Sequence, residues 1–395
     1  MKLYYILKNF CVFLIVFFLF SFFQPPIIHA FAEENTVENP PILDEAIDDV
    51  LERLDVEKLE EYVRSLSGEN NGVKDRILSY IKGDSIDYGN FFIQLSEVFF
   101  KEIQDLIPAF SCVIAIALLC GILSSLQIGN SSLSVTKTVY LIAFIVALLP
   151  ILNIITECYT KAKESVTSMT TQMQLIFPIL LTLLSASGGV TSVAICKPSV
   201  AFLSTAMVQI ISEIVFPVAV VLISFSIAGK ISNDFKFNKF VALFKSINKW
   251  LIGIGLSVFA LFFTVQGITS ATYDGIAKRA VKYAIGNGIP IVGGFLSGGF
   301  DLAIAGSVLI KNSLGYLGIV LMISTIFQPL LLILSTNLLL RFSSALTSPF
   351  GDSAISDFLN EVADSLNYLA AGILFTAFLY FLSIIIIITA SGVFF

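Results

Sequence analysis

Histidine is almost missing from this chain: the single copy, His29, lies within the first 32 residues. From residue 33 onward the commonest general base, proton shuttle and metal ligand is therefore absent. A Ser-His-Asp or Cys-His arrangement is excluded. Cysteine is scarce as well, with five copies. Cys11 lies in the first apolar run, and Cys112, Cys120, Cys158 and Cys196 lie in or beside later ones, with no C-x-x-C spacing and no disulfide framework. Charge is the third shortage. At 13% Asp, Glu, Lys and Arg against 56% hydrophobic residues, the composition is not that of a soluble globular protein. Gly253-x-Gly255 and Gly286-x-Gly288 lack a following GK[ST] or a strand–helix context, so they are not nucleotide sites. No catalytic residue, cofactor or metal is expected, and the enzyme class falls away.

What charge there is has been partitioned. Residues 33–105 hold 19 of the 29 acids and 7 of the 23 basic residues, a net charge of −12. The rest is apolar, with runs of 18 or more residues, long enough to cross a bilayer core of about 30 Å. The first 32 residues read as a secretory signal. Lys2 and Lys8 supply the charged start, Phe10 to Phe23 the apolar core, and Ala30-Phe31-Ala32 a cleavage site; an uncleaved anchor is the alternative. The expected organisation is a signal peptide over 1–32, an exported acidic helical domain over 33–105 and a polytopic membrane domain over 106–395. The fold class is all-α.

In the acidic domain, Leu43, Ile47, Val50, Leu51, Leu54, Leu59, Tyr62, Val63 and Leu66 recur at three- and four-residue steps, predicting an amphipathic helix. A second is predicted over Val73–Ile81 and a third over Phe91–Leu106. Such a segment is either a small cap on the membrane domain or a docking surface for another exported protein. Six spans follow: Ile107–Leu126, Thr138–Ile155, Val200–Ala228, Trp250–Ile268, Leu314–Leu340 and Leu366–Ile388. Two more apolar segments, Leu175–Ile195 and Ile289–Ile310, are interrupted by Ser187-Gly188-Gly189 and by Gly293-Gly294 with Gly298-Gly299. Lys230, Lys236, Lys239, Lys245 and Lys249 form the densest basic loop, which the positive-inside rule keeps cytoplasmic. With an exported N-terminus that requires three preceding spans, so the glycine-broken segments are expected to be re-entrant. Eight full crossings is the competing count, and Lys278, Arg279 and Lys282 fit the six-span count poorly. Asp352, Asp357, Glu361 and Asp364 are expected to form a solvated cytoplasmic helix face.

Two stretches repeat each other 112 residues apart. Pro178-Ile179, Leu184-Ser185 and Ile211-Ser212-x-Ile214-x-x-Pro217 recur as Pro290-Ile291, Leu296-Ser297 and Ile323-Ser324-x-Ile326-x-x-Pro329. Units of about 138–228 and 250–340 result, each with a polar connector (Thr156–Gln174; Thr269–Gly288). Duplicated membrane units commonly build pathways where the copies meet. Charges inside apolar sequence normally face protein or water. This marks Glu213, with Gln209 one turn earlier, as candidate pore or interface residues, and Lys311 as another or as the partner of Glu213. Gly188, Gly189, Gly294 and Gly298 are candidate re-entrant tips, or alternatively close-packing positions. Pro217 and Pro329 are candidate kinks. A stand-alone secondary transporter with its site at the repeat interface is one functional reading.

A second comes from the motifs Phe177-Pro178-Ile179, Leu183-Leu184-Ser185-Ala186-Ser187-Gly188-Gly189-Val190, Val265-Gln266-Gly267 with Asp274-Gly275-Ile276, Gly286-Asn287-x-Ile289-Pro290-Ile291 and Leu309-Ile310-Lys311-Asn312-Ser313-Leu314-Gly315. These resemble the stage III sporulation protein AE family of endospore-forming bacteria, over nearly the whole chain. The resemblance implies a component of the secretion-like channel, or feeding tube, between mother cell and forespore. It implies residence in the mother-cell membrane around the forespore and an oligomeric assembly. Its partners would be the other stage III sporulation A proteins and, across the intermembrane space, stage II sporulation protein Q. Membrane lipid is a further contact; nucleic acid is not. The family is similar in role to export-gate proteins of secretion systems. No functional residues carry over from it.

Overall fold

The chain folds as stacked long helices, here described from a computed structural model covering residues 54, 56–67, 72–81, 88–126, 133–231, 237, 239–261, 293–350 and 353–390. Two short helices, α1 (Glu57–Ser67) and α2 (Val73–Ile81), precede α3 (Tyr88–Leu126) and α4 (Leu133–Ala186). Next come α5 (Val190–Ile210), a π-helical turn (Ile211–Val215) and α6 (Phe216–Ile231). The series closes with α7 (Lys239–Leu261), α8 (Gly293–Thr347), a 3₁₀ turn (Ser348–Phe350) and α9 (Ser353–Thr389). No described residue is in a strand.

Among the described residues, six helical stretches are long and apolar enough to cross a membrane: Ser96–Leu119, Phe144–Ala186, Thr205–Lys230, Lys239–Leu261, Ile304–Thr347 and Ile355–Thr389. Each overlaps one of the six expected spans, and the chain is a multi-pass membrane protein by this measure. The helices are longer than expected, however. The third amphipathic stretch and the first span are one helix, α3, so the step from charged to apolar composition near residue 105 falls inside a continuous element. A span, its polar connector and half of a glycine-broken segment likewise fuse into α4. At 54 residues and 1.5 Å per residue α4 is about 80 Å long, far more than one crossing needs. The connector carries hydroxyls and charges but no helix breaker, so nothing in it ends the helix.

The two glycine-broken segments differ. Helix α4 stops at Ala186 and the chain turns through Ser187–Gly189, whereas Gly293, Gly294, Gly298 and Gly299 are all helical within α8. A break there is not what forms. An interior glycine costs only about 1 kcal/mol of helix propensity, which packing easily offsets. Residues 262–292, with the second connector and Lys278, Arg279 and Lys282, lie outside the described residues, as does the signal segment.

Helix α9 is the hub. Its Leu359, Val362, Leu366, Ile373, Leu379 and Ile384 are all fully enclosed. It runs antiparallel to α8: Asn337 bonds the Ala363 carbonyl at 2.6 Å, Ser344 the Ser356 carbonyl at 2.9 Å, and Gly318 lies against Ile384 and Tyr380. On another side, Gly372 admits Phe216 and Ile211; a Cβ there would overlap the Phe216 ring. Where α6, α7, α8 and α9 come together, ions pair. Lys230 lies 3.6 Å from Asp357 and 3.8 Å from Glu361, Lys245 lies 3.6 Å from Asp364, and Arg341 donates to Asp364 at 2.9 Å. The acidic stretch expected as a solvated helix face is thus the counter-charge of the basic loop, while Asp357 and Asp364 keep about half their surface open.

Candidate functional site

The hairpin of α4 and α5 begins with its turn. Gly188 has φ 84°, the left-handed region that favours glycine. Its N–H donates to the Ser185 carbonyl at 3.0 Å, and that of Gly189 to the Leu184 carbonyl at 2.8 Å. This paired closure of a helix end is the Schellman motif. Gly189 is needed for a different reason: a Cβ there would stand 2.9 Å from the Leu184 carbonyl oxygen. Ser187 completes the turn, its hydroxyl donating to the Leu184 carbonyl at 2.9 Å.

Below the turn the two arms run antiparallel, with Tyr159 of α4 edge-on to Phe216 of α6, ring centroids 6.4 Å apart. Counting back along both arms brings Lys163 and Glu164 level with the segment Gln209–Glu213. Between Gln209 and Pro217 the backbone widens into the π turn, where the Phe216 N–H reaches the Ile211 carbonyl five residues back. Pro217 explains the position. It has no N–H for the carbonyl of residue 213 and its ring crowds that carbonyl, so the preceding turn opens. Gln209 and Glu213 both point outward, and the Ser212 hydroxyl lies 3.4 Å from a Glu213 oxygen.

The equivalent proline in α8 is accommodated otherwise. Helix α8 stays α-helical through Pro329, and the carbonyl left over by the proline, that of Thr325, accepts the Ser165 hydroxyl of α4 at 3.2 Å. The Thr325 side chain accepts the Gln172 amide at 2.8 Å, and the same amide donates to the Tyr62 hydroxyl of α1 at 3.3 Å. Tyr380 lies in the same layer, its ring 5.7 Å from Phe177. This buried polar set was not visible in the sequence, where Tyr62 reads as one more apolar position of an amphipathic helix. The one available signal was Gln172, an amide in a run read as a polar connector.

These bonds fix the depth of the polar stretch of α4. Cys158 meets Thr336 at 3.7 Å, Ser165 and Gln172 meet Thr325, and Ile176 lies beside Gly318. Residues 156–174 therefore lie alongside the apolar run Leu314–Leu340. Yet Glu157, Thr160, Lys163, Glu164, Thr167 and Gln174 are all exposed, with Lys161 and Glu164 paired at 3.3 Å. An open groove lined by Tyr159, Thr160, Lys163, Glu164, Thr167 and Ser168 runs along this face. The threonines are self-sufficient: Thr167 and Thr171 donate to carbonyls four residues back. Of the charges, only Lys161 and Glu164 find each other, and that pair is itself open to the surface. Each charge would cost at least about 2.5–3.5 kcal/mol facing lipid at mid-depth, so four would consume a sum comparable to a whole domain's stability, roughly 10 kcal/mol.

The other marked residues go elsewhere. Lys311 is fully buried and donates to the Ile388 carbonyl at 2.7 Å, at the C-terminal end of α9. A cation there satisfies helix-end carbonyls and their partial negative charge; it is not paired with Glu213. Gly294 and Gly298 lie in the first two turns of α8, far along the chain from the turn at Gly188. Among the described residues no three His, Cys, Asp or Glu side chains group in a way that could hold a metal ion.

Comparison with known proteins gives a concordant result. The family model described as Stage III sporulation protein AE matches residues 73–391. The Stage III sporulation protein AE of Bacillus subtilis (strain 168) is 27% identical over 365 residues, which is 91% of this chain and 92% of that protein. No solved structure matches.

Proposed function

The chain belongs to the stage III sporulation protein AE family, and from that premise we propose that it is a membrane-embedded component of the channel complex linking mother cell and forespore. In this reading it sits in the mother-cell membrane around the forespore with α1 and α2 on the extracytoplasmic side. It assembles there with the other stage III sporulation A proteins and, across the intermembrane space, with stage II sporulation protein Q.

The observation that carries the reading, beyond membership, is where the polar groups point. A stand-alone transporter keeps its substrate carboxylates at the repeat interface, inside the bundle. Here Gln209, Glu213 and the charges of α4 face outward from a single chain, which suits a part completed by neighbours. No catalytic step is assigned to it. The test is photo-crosslinking in sporulating cells from an unnatural amino acid at Gln209 or Glu61, with mass spectrometry of the adducts. Adducts with stage III A proteins or with second copies of the chain are expected. Lipid-only adducts at both positions, with transport of a solute by the purified chain alone, would transfer the case to the transporter.

A further inference from the structure

Two sides of the bundle differ at one depth. On α7, Trp250, Ile254, Val258 and Leu261 are exposed at 63%, 48%, 47% and 69%. Their level is set by Gly255, which lies beside Phe375 of α9 and Met207 of α5. On α4, the exposed groups at the level of Thr325–Thr336 are charged or polar. A second element reinforces the contrast. Helix α1 reaches the same layer through the Tyr62–Gln172 bond, and α2 through Tyr80, whose ring is 4.8 Å from that of Tyr316 in α8. The outer face of α1 is nonetheless Glu57, Lys58, Glu61 and Arg64, all exposed. A helix with that face cannot lie against hydrocarbon.

We infer that α1, the Thr156–Gln174 stretch of α4 and the neighbouring Gln209–Glu213 segment form one water-facing wall alongside the apolar run Leu314–Leu340, open to the extracytoplasmic side from which α1 packs against it, while α7 presents the lipid-facing side. The inference rests on the channel reading for its purpose: the wall is the lining this chain contributes to an aqueous passage closed by other subunits. Its chemistry describes what would pass. Glu157, Lys161, Lys163 and Glu164 balance, and hydroxyls alternate with them along the helix, so the lining takes polar solutes of either sign rather than selecting anions. Glu213 adds one negative charge at its edge. Buried Gln172, bonded to half-buried Tyr62 and Thr325, pins α1 to this wall and stops it drifting into bulk solution.

The test uses the full chain as sole copy in sporulating cells, permeabilised so that an impermeant thiosulfonate reaches both membrane faces, with native cysteines replaced. Single cysteines are placed at Thr160, Thr167 and Gln209, at Ile254 and Val258, and at Asp357, whose side chain is 61% exposed outside the wall, as the aqueous reference. The first three should react at rates close to that of Asp357→Cys. The α7 pair should be at least about tenfold slower, since a thiol against hydrocarbon loses its reactive thiolate. Slow reaction at Thr160 and Thr167 overturns the inference, and so does fast reaction at Ile254 and Val258, which would make the whole circumference wet. Spore formation by intact cells carrying Thr167→Trp, with the membrane level of the protein checked, separates the two ideas. Loss of spores at a normal protein level supports a lined passage, whereas fast labelling of Thr167→Cys with normal sporulation of the Trp variant keeps the wet wall and removes the channel.

Discussion

Two helix segments that share a run of residues around a proline meet the same backbone problem in two ways. Ile211-Ser212-x-Ile214-x-x-Pro217 and Ile323-Ser324-x-Ile326-x-x-Pro329 each place a proline inside a long helix, leaving the carbonyl four residues earlier without its N–H. In the first copy the backbone changes, opening a π turn before Pro217. In the second a neighbour supplies the donor, Ser165 of α4, and α8 stays regular. The residue at the position of that carbonyl follows the choice: Glu213 points outward from the opened turn, while Thr325 is held inward by Gln172. The same contrast recurs upstream, where the first copy turns at Gly188–Gly189 and the second continues as helix through Gly298–Gly299. The two motifs are equally spaced in sequence, and the backbone around their prolines differs with the partners that their side chains find.

The strongest way to break this contrast is at the turn. Gly189→Val would push a Cβ to 2.5 Å from the Leu184 side chain and 2.9 Å from its backbone carbonyl, and no rotamer relieves a clash with backbone. Detergent-solubilised protein should lose its monodisperse folded fraction. The milder Gly188→Ala forces a left-handed alanine at about 1–2 kcal/mol, whereas Gly298→Ala, in a helix, should be neutral or stabilising by up to about 1 kcal/mol. Equal melting shifts for the two alanines would mean the copies are not folded differently there.

Next in size is the proline pair. Ser165→Ala strands the Thr325 carbonyl, a loss of about 1–3 kcal/mol read as a lower melting temperature. In a Pro329→Ala background a backbone N–H is restored, and the serine change should then cost far less. A double-mutant cycle without coupling would show that the hydroxyl is not the proline's substitute. The smallest effect is expected at the charged end. Asp364→Asn removes the acid shared by Lys245 and Arg341, but all three are partly open to solvent, so the loss should stay below about 1 kcal/mol and shrink in high salt. A larger, salt-insensitive loss would mark the cluster as a buried network.

Much of this was legible in the sequence. Hydropathy placed six spans, α2 begins and ends at Val73 and Ile81 as its periodicity predicts, and the glycines of the first hairpin mark its turn. Register between helices was not legible. Nothing local says that the polar stretch of α4 lies beside the apolar middle of α8, because that depends on Ser165 and Gln172 finding Thr325 some 150–160 residues away. Long-range pairing also redefined Asp357 and Asp364, which look solvated until Lys230 and Lys245 are set against them. Glu213 and Gln209 were marked by their chemistry, but only the fold says that they face out. Lys311 was marked for the same reason, and only the fold brings it to the Ile388 carbonyl.

The ion cluster at the end of the bundle has a consequence for how the protein is made. Lys230 to Lys249 leave the ribosome about a hundred residues before Asp357, and translation proceeds at roughly 5–20 residues per second. For several seconds the lysines are a bare basic loop, which is what the insertion machinery weighs when it decides which side a loop stays on. The acids arrive later, on the last helix, and pair with Lys230 and Lys245. Charge that is bare while the chain is being made thus becomes, in the folded molecule, a joint between its last helix and α6 and α7.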